Sequence, residues 1–329
     1  MGILSWMFPS TEGRHTLTVK HAARPRAPPS PQLEQSYFQN VEGLYIFTKR
    51  WIPKDGTKPR AFIVLLHGSG DHCRRLDALG EAMCEAGYAA VTMDHQGHGR
   101  SEGDRVHCER YSNLIDDVTL MVSLELKRNP SLAKLPRFIF GHSAGALYAI
   151  DVANKAASSN DPYRGVILCS PALYIDPGTT SPFNLLAGSI LSRLLPKWPV
   201  PWVTGPDAPI SRDEVAQAHY DGDPLVYRGA LRPRHSMELF GALREINDMA
   251  PGFNMPYLAF HGSGDKICLL QGTQRWHEAT QSADKTLVVF EGACHELLHE
   301  LEETRSALLS RTQRWIEERI YEINSNVDW

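Results

Sequence analysis

The chain has 329 residues, 42% of them hydrophobic, which is enough to bury a large core and suits one α/β domain that carries an insertion. The formal net charge of −4 provides no basic surface for nucleic acid, so we expect no nucleic-acid partner. The sequence contains no apolar run of membrane-spanning length, and its six cysteines form no C-x-x-C pair. These features favour a protein with reduced thiols that is soluble or at most attached to a membrane surface.

Residues 1–35 are predicted to form a flexible N-terminal extension, because a proline-rich linker at 24–31 separates them from the remaining chain. The apolar opening suits a shallow anchor at a membrane interface, whereas the excess of basic over acidic residues leaves mitochondrial targeting open, and a disordered tail is the third alternative. We expect a cytoplasmic location, with membrane association if the anchor operates. The apolar residues of the opening are Ile3, Leu4, Trp6, Met7 and Phe8.

Apolar segments alternate with helix-forming segments over most of the chain. This alternation predicts an α/β fold with a mostly parallel sheet and helices on both faces, so that catalytic loops gather at the carboxyl ends of the strands. The alternation breaks at about 171–250, which we interpret as an insertion into a domain covering 36–329. Strands are predicted at 44–51 (an edge strand), 61–66, 89–93, 138–140, 165–170, 255–260 and 286–290, and helices near 76–86, 113–127, 144–157, 271–282 and 304–323.

A glycine-flanked serine follows the predicted strand at 138–140. The sequence Gly141-His-Ser-Ala-Gly145 has the G-x-S-x-G pattern of a nucleophile elbow, in which the turn is so sharp that only small residues fit beside the serine. The alternative interpretation is a glycine-rich turn with an unreactive serine. The order of strand, turn and helix favours Ser143 as a nucleophile.

A serine nucleophile needs a histidine to accept its proton and an acid to orient that histidine. In the order Ser, acid, His, the candidates are Asp265 and His295, each of which follows a predicted strand directly. Asp265 could instead cap a turn, and His299 and His277 are alternative bases. We expect Ser143, Asp265 and His295 to form a catalytic triad.

Acyl transfer also needs backbone amides that stabilise the developing oxyanion. The amide of Ala144, directly after the nucleophile, is one predicted donor. The second is expected from the glycine-rich loop after the strand at 61–66, and Ser69 is the preferred residue there.

Other polar residues near these motifs allow further interpretations. His67, His72 and Cys73 could bind a metal, but their spacing matches no standard ligand set, so we expect neither a metal nor a cofactor. Cys268 and Cys294 lie close to the predicted acid and base. Alkylation of either thiol would then block the site, whereas inert core cysteines would leave activity unchanged after maleimide treatment.

The insertion contains a predicted apolar helix that begins at Ser181-Pro182 and ends at Pro196. One interpretation is a lid that admits acyl chains and contacts lipid, and the other is ordinary packing of a cap on the core. The candidate substrate or lid residues are Leu186, Ile190, Leu191 and Leu194.

With these motifs in hand, the chain from about residue 40 onward resembles the monoacylglycerol lipases of the α/β-hydrolase superfamily. The resemblance implies an α/β-hydrolase fold with an inserted helical cap, Ser143, Asp265 and His295 as the triad, and the Ser69 and Ala144 amides as the oxyanion hole. Ala144 departs from the family, whose members usually carry methionine there. The matching motifs are His67-Gly-Ser-Gly-Asp-His72, Asp94-His-Gln-Gly-His-Gly-Arg-Ser-Glu-Gly103, Gly141-His-Ser-Ala-Gly145, Ser211-Arg212, Tyr220-Asp-Gly-Asp-Pro-Leu225, His261-Gly-Ser-Gly-Asp265 and Glu291-Gly-Ala-Cys-His295.

The resemblance further implies cleavage of one fatty acyl ester from glycerol, with a lipid ester as substrate, peripheral membrane contact through the cap and no cofactor. A lysophospholipase or broad carboxylesterase would use the same residues, and acyl transfer to another alcohol would share the acyl-enzyme. A non-catalytic binding module on the same fold is expected to lack a triad member, and none is missing from the sequence.

Overall fold

A computed structural model describes residues 35–54, 56–158, 162–174, 181–200 and 208–325 of the chain. The predicted N-terminal extension lies outside these ranges except for Gln35.

Eight strands form one sheet in the order β1-β2-β4-β3-β5-β6-β7-β8. The β1–β2 and β2–β4 pairs are antiparallel and all the others are parallel, which confirms the predicted α/β-hydrolase fold. The predicted edge position of the strand at 44–51 is wrong, because β1 lies outside it. The strands are β1 (Gln35–Gln39), β2 (Tyr45–Trp51), β3 (Phe62–Leu66), β4 (Ala89–Met93), β5 (Arg137–His142), β6 (Gly165–Cys169), β7 (Tyr257–Gly262) and β8 (Lys285–Phe290).

The central strands are buried on both faces, which explains why they are continuously apolar and do not alternate. In β3, for example, Phe62, Val64 and Leu66 belong to one hydrophobic cluster, and Ile63 and Leu65 belong to the other. Successive side chains of a strand point to opposite faces of the sheet. The sheet therefore separates two cores.

Helices cover both of these cores. Residues of α2, α3 and α6 contribute to the core that contains Phe62, and residues of α1 and α8 contribute to the core that contains Ile63. The helices are α1 (Asp77–Glu85), α2 (Tyr111–Arg128), α3 (Ala144–Ala157), α4 (Pro182–Leu194), α5 (Glu214–Gly222), α6 (Pro233–Met249), α7 (Leu270–Ala279) and α8 (Glu302–Ser325). Four short 3₁₀ turns occur within the described ranges, at Cys73–Leu76, Pro130–Lys134, Ala250–Gly252 and Leu297–His299.

The segment between β6 and β7 carries α4, α5 and α6. Helix α6 packs on the core that contains Phe62 through Ala242 and Ile246. Helix α4 packs closely on α6, since an added Cβ at Gly188 would lie 2.7 Å from Met237 Sδ. Of these three helices the sequence had predicted only α4, from its Ser-Pro start and the helical spacing of its apolar residues. In the described ranges, no helix is both long enough and apolar enough to cross a bilayer.

Candidate active site

Ser143 sits at a turn between β5 and α3 with φ of 54° and ψ of −122°. This left-handed conformation is rare for residues with a side chain and is characteristic of a strained site. The flanking glycines are sterically required, since a Cβ at Gly141 would lie 2.2 Å from Gly145 O and a Cβ at Gly145 would lie 2.5 Å from Leu66 O. The local geometry is therefore that of a nucleophile elbow.

Asp265 and His295 meet at the carboxyl ends of β7 and β8. His295 Nδ1 lies 2.7 Å from Asp265 Oδ2, and both residues are buried. The other carboxylate oxygen accepts hydrogen bonds from the amides of Ile267 (2.8 Å) and Cys268 (3.0 Å). Because Asp265 Oδ2 accepts from Nδ1–H, His295 Nε2 keeps the lone pair that a general base needs.

The charges at this pair follow from its hydrogen bonds. Burial alone would raise the pKa of Asp265, but hydrogen bonds from His261 and His295 outweigh it and hold the pKa well below its usual range. Burial lowers the pKa of His295, but the bond to Asp265 and its negative charge outweigh that effect and leave the pKa raised. Asp265 is therefore ionised, and His295 is a stronger base than an ordinary buried histidine.

The elbow, the Asp265 loop and the His295 loop converge. Ser143 Oγ lies 3.8 Å from Cys268 Sγ, and the His295 carbonyl accepts a 2.7 Å hydrogen bond from Ser170 Oγ. The rings of His295 and His142, the residue before Ser143, are 4.8 Å apart. Among the hydrogen bonds of the described residues, none joins Ser143 Oγ to His295, and contacts of this kind often tighten only in the complex with substrate.

The predicted oxyanion residues border the same elbow. Gly68 packs directly on the nucleophile, since an added Cβ would lie 2.9 Å from Ser143 Cβ, and the Ser69 amide follows Gly68 in the chain. Ala144 is the first residue of α3, where backbone N–H groups have no partner within the helix. The two predicted amide donors therefore belong to Ala144, which follows Ser143, and to Ser69, which follows the glycine packed on Ser143.

The two alternative bases, His299 and His277, have other hydrogen-bond partners. His299 Nε2 lies 2.9 Å from the Arg75 carbonyl, and His277 Nδ1 lies 2.8 Å from the Tyr257 hydroxyl. The residues considered for a metal also have different partners: His67 contacts Gly68 O through Nδ1 and the His95 amide through Nε2, and His72 Nε2 lies 2.9 Å from Asp223 Oδ2. These contacts favour structural roles for the four histidines His67, His72, His277 and His299.

A buried ionic network beside the base was not predicted. Arg75 Nη2 pairs with Glu296 Oε2 at 3.0 Å and Arg75 Nε lies 3.3 Å from Asp71 Oδ1, while the Tyr220 ring lies under the guanidinium at 4.9 Å. Burial would raise the pKa of Glu296, but His142 and Arg75 outweigh it and the pKa lies well below its usual range. Two sequence features could have indicated this network. They are an arginine in the segment after β3 and a glutamate directly after His295.

A second buried carboxylate, that of Glu300, stabilises the loop that carries His295. Glu300 is fully buried, and its Oε1 accepts a 2.8 Å hydrogen bond from the amide of Cys294. Arg212, from the Ser211-Arg212 motif of the insertion, pairs with the other oxygen at 2.9 Å. This motif therefore joins the insertion to the loop that carries His295.

One buried group has donor atoms close enough to be considered as metal ligands. Those of His142, His295 and Glu296 lie within 4.8 Å of one another. Glu296 pairs with Arg75, and His295 is bonded to Asp265. His142 Nε2 lies 3.6 Å from Glu296 Oε1, so each donor already has a charged partner. The chemistry of the group therefore matches a polar network around a base better than it matches a metal centre.

The fold and the site define a serine hydrolase of the α/β-hydrolase superfamily. A profile of the Hydrolase_4 family (serine aminopeptidase, S33) matches residues 57–302. The chain is 32% identical to monoglyceride lipase of Mus musculus over 92% of its length and 97% of that protein, and 31% identical to monoacylglycerol lipase of Mycolicibacterium smegmatis over 85% and 95%. The crystal structure of Paleococcus ferrophilus monoacylglycerol lipase superposes with a TM-score of 0.71 at 27% identity, covering 83% of this chain and 99% of that one.

The chain belongs to this Hydrolase_4 family, and the predicted resemblance to monoacylglycerol lipases is confirmed. The structure of a soluble variant of Saccharomyces cerevisiae monoglyceride lipase, at 20% identity and a TM-score of 0.75, shares the fold and covers 91% of this chain and 99% of that one.

Proposed function

We propose that the protein hydrolyses the ester bond of monoacylglycerols, releasing a fatty acid and glycerol through an acyl-enzyme on Ser143. The observation that carries the proposal is the 2.7 Å contact between His295 and a buried Asp265 beside a serine in a strained elbow. The names of the mouse and mycobacterial relatives support the choice of substrate.

In the proposed mechanism, His295 Nε2 takes the hydroxyl proton as Ser143 Oγ attacks the ester carbonyl. The Ser69 and Ala144 amides donate to the oxygen that becomes negative. His295 then gives its proton to the departing glycerol oxygen, which leaves a fatty acyl ester on Ser143. Water, deprotonated by the same imidazole, attacks the carbonyl of this ester. The fatty acid leaves as the bond to Ser143 Oγ breaks, and His295 returns the proton to Oγ.

The neighbouring charges suit these steps. Positive charge develops on His295 in each transition state, and Asp265 stabilises it while holding the ring in one tautomer. Glu296 adds a second negative charge close to the imidazole and acts in the same direction on its pKa. Two carboxylates therefore favour the protonated base.

We also propose that α4 makes a peripheral contact with the lipid surface from which the substrate is taken. Phe183, Leu186, Ile190 and Leu194 are spaced by three or four residues on one face of the helix and are 78%, 60%, 47% and 73% exposed. An exposed apolar helix face of this kind matches an interfacial helix better than it matches core packing. Leu191, on another side of the helix, is half-buried.

A substrate panel tests the proposal. Wild-type protein and Ser143→Ala are compared on monooleoylglycerol, lysophosphatidylcholine and short nitrophenyl esters, together with labelling by a fluorophosphonate. We expect monooleoylglycerol to have the highest kcat/KM, and both labelling and turnover to disappear in Ser143→Ala. A higher kcat/KM for lysophosphatidylcholine or for short esters would contradict monoacylglycerol as the preferred substrate. Failure of the probe to label wild-type protein would contradict the assignment as a serine hydrolase.

A further inference from the structure

A chain of side-chain hydrogen bonds joins the loop that carries Ser69 to the insertion. Ser69 Oγ lies 3.0 Å from His235 Nε2, in the first turn of α6, and His235 Nδ1 lies 3.3 Å from Cys108 Sγ, in the loop before α2. His235 and Cys108 are each only 1% exposed, whereas Ser69 is an exposed residue of the site. The catalytic mechanism above does not use this imidazole.

Both buried members of the chain are uncharged at neutral pH. Burial, with help from nearby histidines and Arg232, lowers the pKa of His235 to about 3. Burial also raises the pKa of the Cys108 thiol far above its usual range. A neutral imidazole has one N–H and one lone pair, so it can bond to both neighbours at once.

Two proton arrangements satisfy this chain. In one, the Cys108 thiol donates to Nδ1 and Nε2–H donates to Ser69 Oγ; in the other, Nδ1–H donates to Sγ and Ser69 O–H donates to Nε2. Either arrangement keeps the Ser69 side chain attached to α6.

The same loop has two further attachments to the insertion. The Tyr227 amide donates to Gly70 O at 2.7 Å, and His72 Nε2 lies 2.9 Å from Asp223 Oδ2. Both contacts flank Ser69 on its C-terminal side, and Gly68 on the other side packs against Ser143. The loop is therefore held between the nucleophile and the insertion.

We propose that the first turn of α6 sets the position of the oxyanion loop, with His235 as a positioning residue that fixes Ser69 and thereby the amide offered to the developing oxyanion. Cys108 supports this role by orienting the imidazole. The position of the insertion is in this way coupled to transition-state stabilisation as well as to substrate access. This inference rests on the proposed hydrolysis of an ester at Ser143.

The first experiment compares full-length wild-type protein with His235→Phe and His235→Gln. Phenylalanine has a similar volume but no polar atom, whereas glutamine can place an N–H near the position of Nε2. Because a displacement of a catalytic group by about 1 Å costs up to about 100-fold, we expect kcat for monooleoylglycerol to fall about 10- to 100-fold in His235→Phe with little change in KM. His235→Gln is expected to recover most of this loss.

Matched controls separate positioning from packing. His277→Phe removes another histidine hydrogen bond, to Tyr257, and is expected to keep the wild-type kcat. Melting temperatures of all variants are measured alongside. Wild-type kcat in a folded His235→Phe, equal losses in His235→Phe and His235→Gln, or an equal loss in His277→Phe would each overturn the inference.

A double-mutant cycle tests the pathway directly, and Ser69→Ala suits it because Ser69 is exposed and the backbone amide is retained. If His235 acts through Ser69, His235→Phe has no further effect on kcat in the Ser69→Ala background. Additive losses would show that His235 acts by another route and would overturn the inference.

The rate of fluorophosphonate reaction at Ser143 separates this inference from the choice of substrate, because that reaction also uses the oxyanion hole but needs no glycerol ester. We expect the rate to fall in His235→Phe in parallel with kcat. If the wild-type protein reacts with the probe but does not hydrolyse monooleoylglycerol, the proposed substrate fails, and the slower reaction of His235→Phe still supports the positioning role. A wild-type reaction rate in His235→Phe overturns that role whatever the substrate.

Discussion

Ser143 has a backbone conformation that costs of the order of 1–3 kcal/mol and persists only where the surroundings impose it. The surroundings here are two glycines that let α3 approach β5 and β3 at distances no side chain allows. The strain is useful because it directs the hydroxyl away from the sheet and toward the loops of Asp265 and His295. The residue pattern in the sequence predicted this arrangement because the steric requirement is local.

The steric role of the elbow glycines can be tested by comparing one of them with a glycine elsewhere that has free space around it. Gly145→Ala places a Cβ 2.5 Å from Leu66 O, so we expect a loss of at least about 1–3 kcal/mol and of most activity. Gly241→Ala, within α6, meets nothing within 4 Å and is expected to raise stability by about 0.5–1 kcal/mol. Urea unfolding of both variants measures this, and equal effects would contradict the steric argument.

Asp265 controls the ionisation of the base, so its loss should change the pH profile. His295 must be neutral to accept a proton, and its pKa is raised by Asp265, so kcat/KM is expected to rise with pH through a midpoint above about 6.5. In Asp265→Asn the charge is lost, the midpoint should move lower, and kcat should fall by about 10⁴. Rates between pH 5 and 9 decide this, and an unshifted midpoint would contradict the assignment of Asp265.

Short local motifs are enough to predict candidate site residues, whereas residues defined by distant contacts leave no such pattern in the sequence. Ser143, Asp265 and His295 each follow a strand, and short motifs mark them. Glu296 and His235 lie far in sequence from their partners Arg75 and Ser69, so no spacing rule connects them.

At the scale of elements, the helix α4 leaves an apolar face uncovered. If this face contacts lipid, Leu186→Asp and Leu194→Asp should reduce cosedimentation with phosphatidylcholine vesicles and hydrolysis of dispersed monooleoylglycerol. Melting temperature and hydrolysis of a soluble nitrophenyl ester should stay unchanged, because neither side chain is buried.

Val41→Asp provides the control, since Val41 is 81% exposed but lies in the turn between β1 and β2. It is expected to leave vesicle binding unchanged. A large drop in melting temperature for the α4 variants would instead indicate that the helix is part of the packed structure.

Some elements with a strong local pattern were predicted with correct bounds, whereas α6 and β1 were missed. The predicted β4 and α3 match the observed Ala89–Met93 and Ala144–Ala157. Helix α6 was missed although Pro233 in its first turn and the spacing of Leu239, Ala242, Leu243 and Ile246 indicate an amphipathic helix. Strand β1 was missed because a polar edge strand takes its conformation from pairing with β2.

Across the whole molecule, buried histidines make stability depend on pH. The pKa values of His95 and His235 are lowered to about 3 and those of His98 and His142 to about 4, in each case chiefly by burial. The unfolded chain binds these protons near pH 6.5 and the folded chain does not. Their contribution to stability is therefore complete above pH 6.5 and decreases as the pH falls.

Each such histidine should reduce the free energy of unfolding by about 1.4 kcal/mol per pH unit well below pH 6.5. Three groups act in the opposite direction and are outnumbered: His295, whose pKa is raised by Asp265, and Asp71 and Asp117, whose carboxyl pKa values are raised chiefly by burial. Urea midpoints are expected to fall steeply between pH 7.5 and 5.5. His98→Phe should reduce the pH dependence of the free energy of unfolding by the amount that corresponds to about one proton. A free energy of unfolding that does not change with pH in the wild-type protein would contradict the burial of neutral imidazoles.

The hydrogen bond between Ser69 and His235 has a consequence for chimeric enzymes. The segment between β6 and β7 is continuous in the chain, so it invites exchange with that of a related hydrolase to change which esters are accepted. Grafted segments with an apolar residue at position 235 should yield folded but slow hybrids, and restoring histidine there should recover their turnover before any redesign of the acyl pocket.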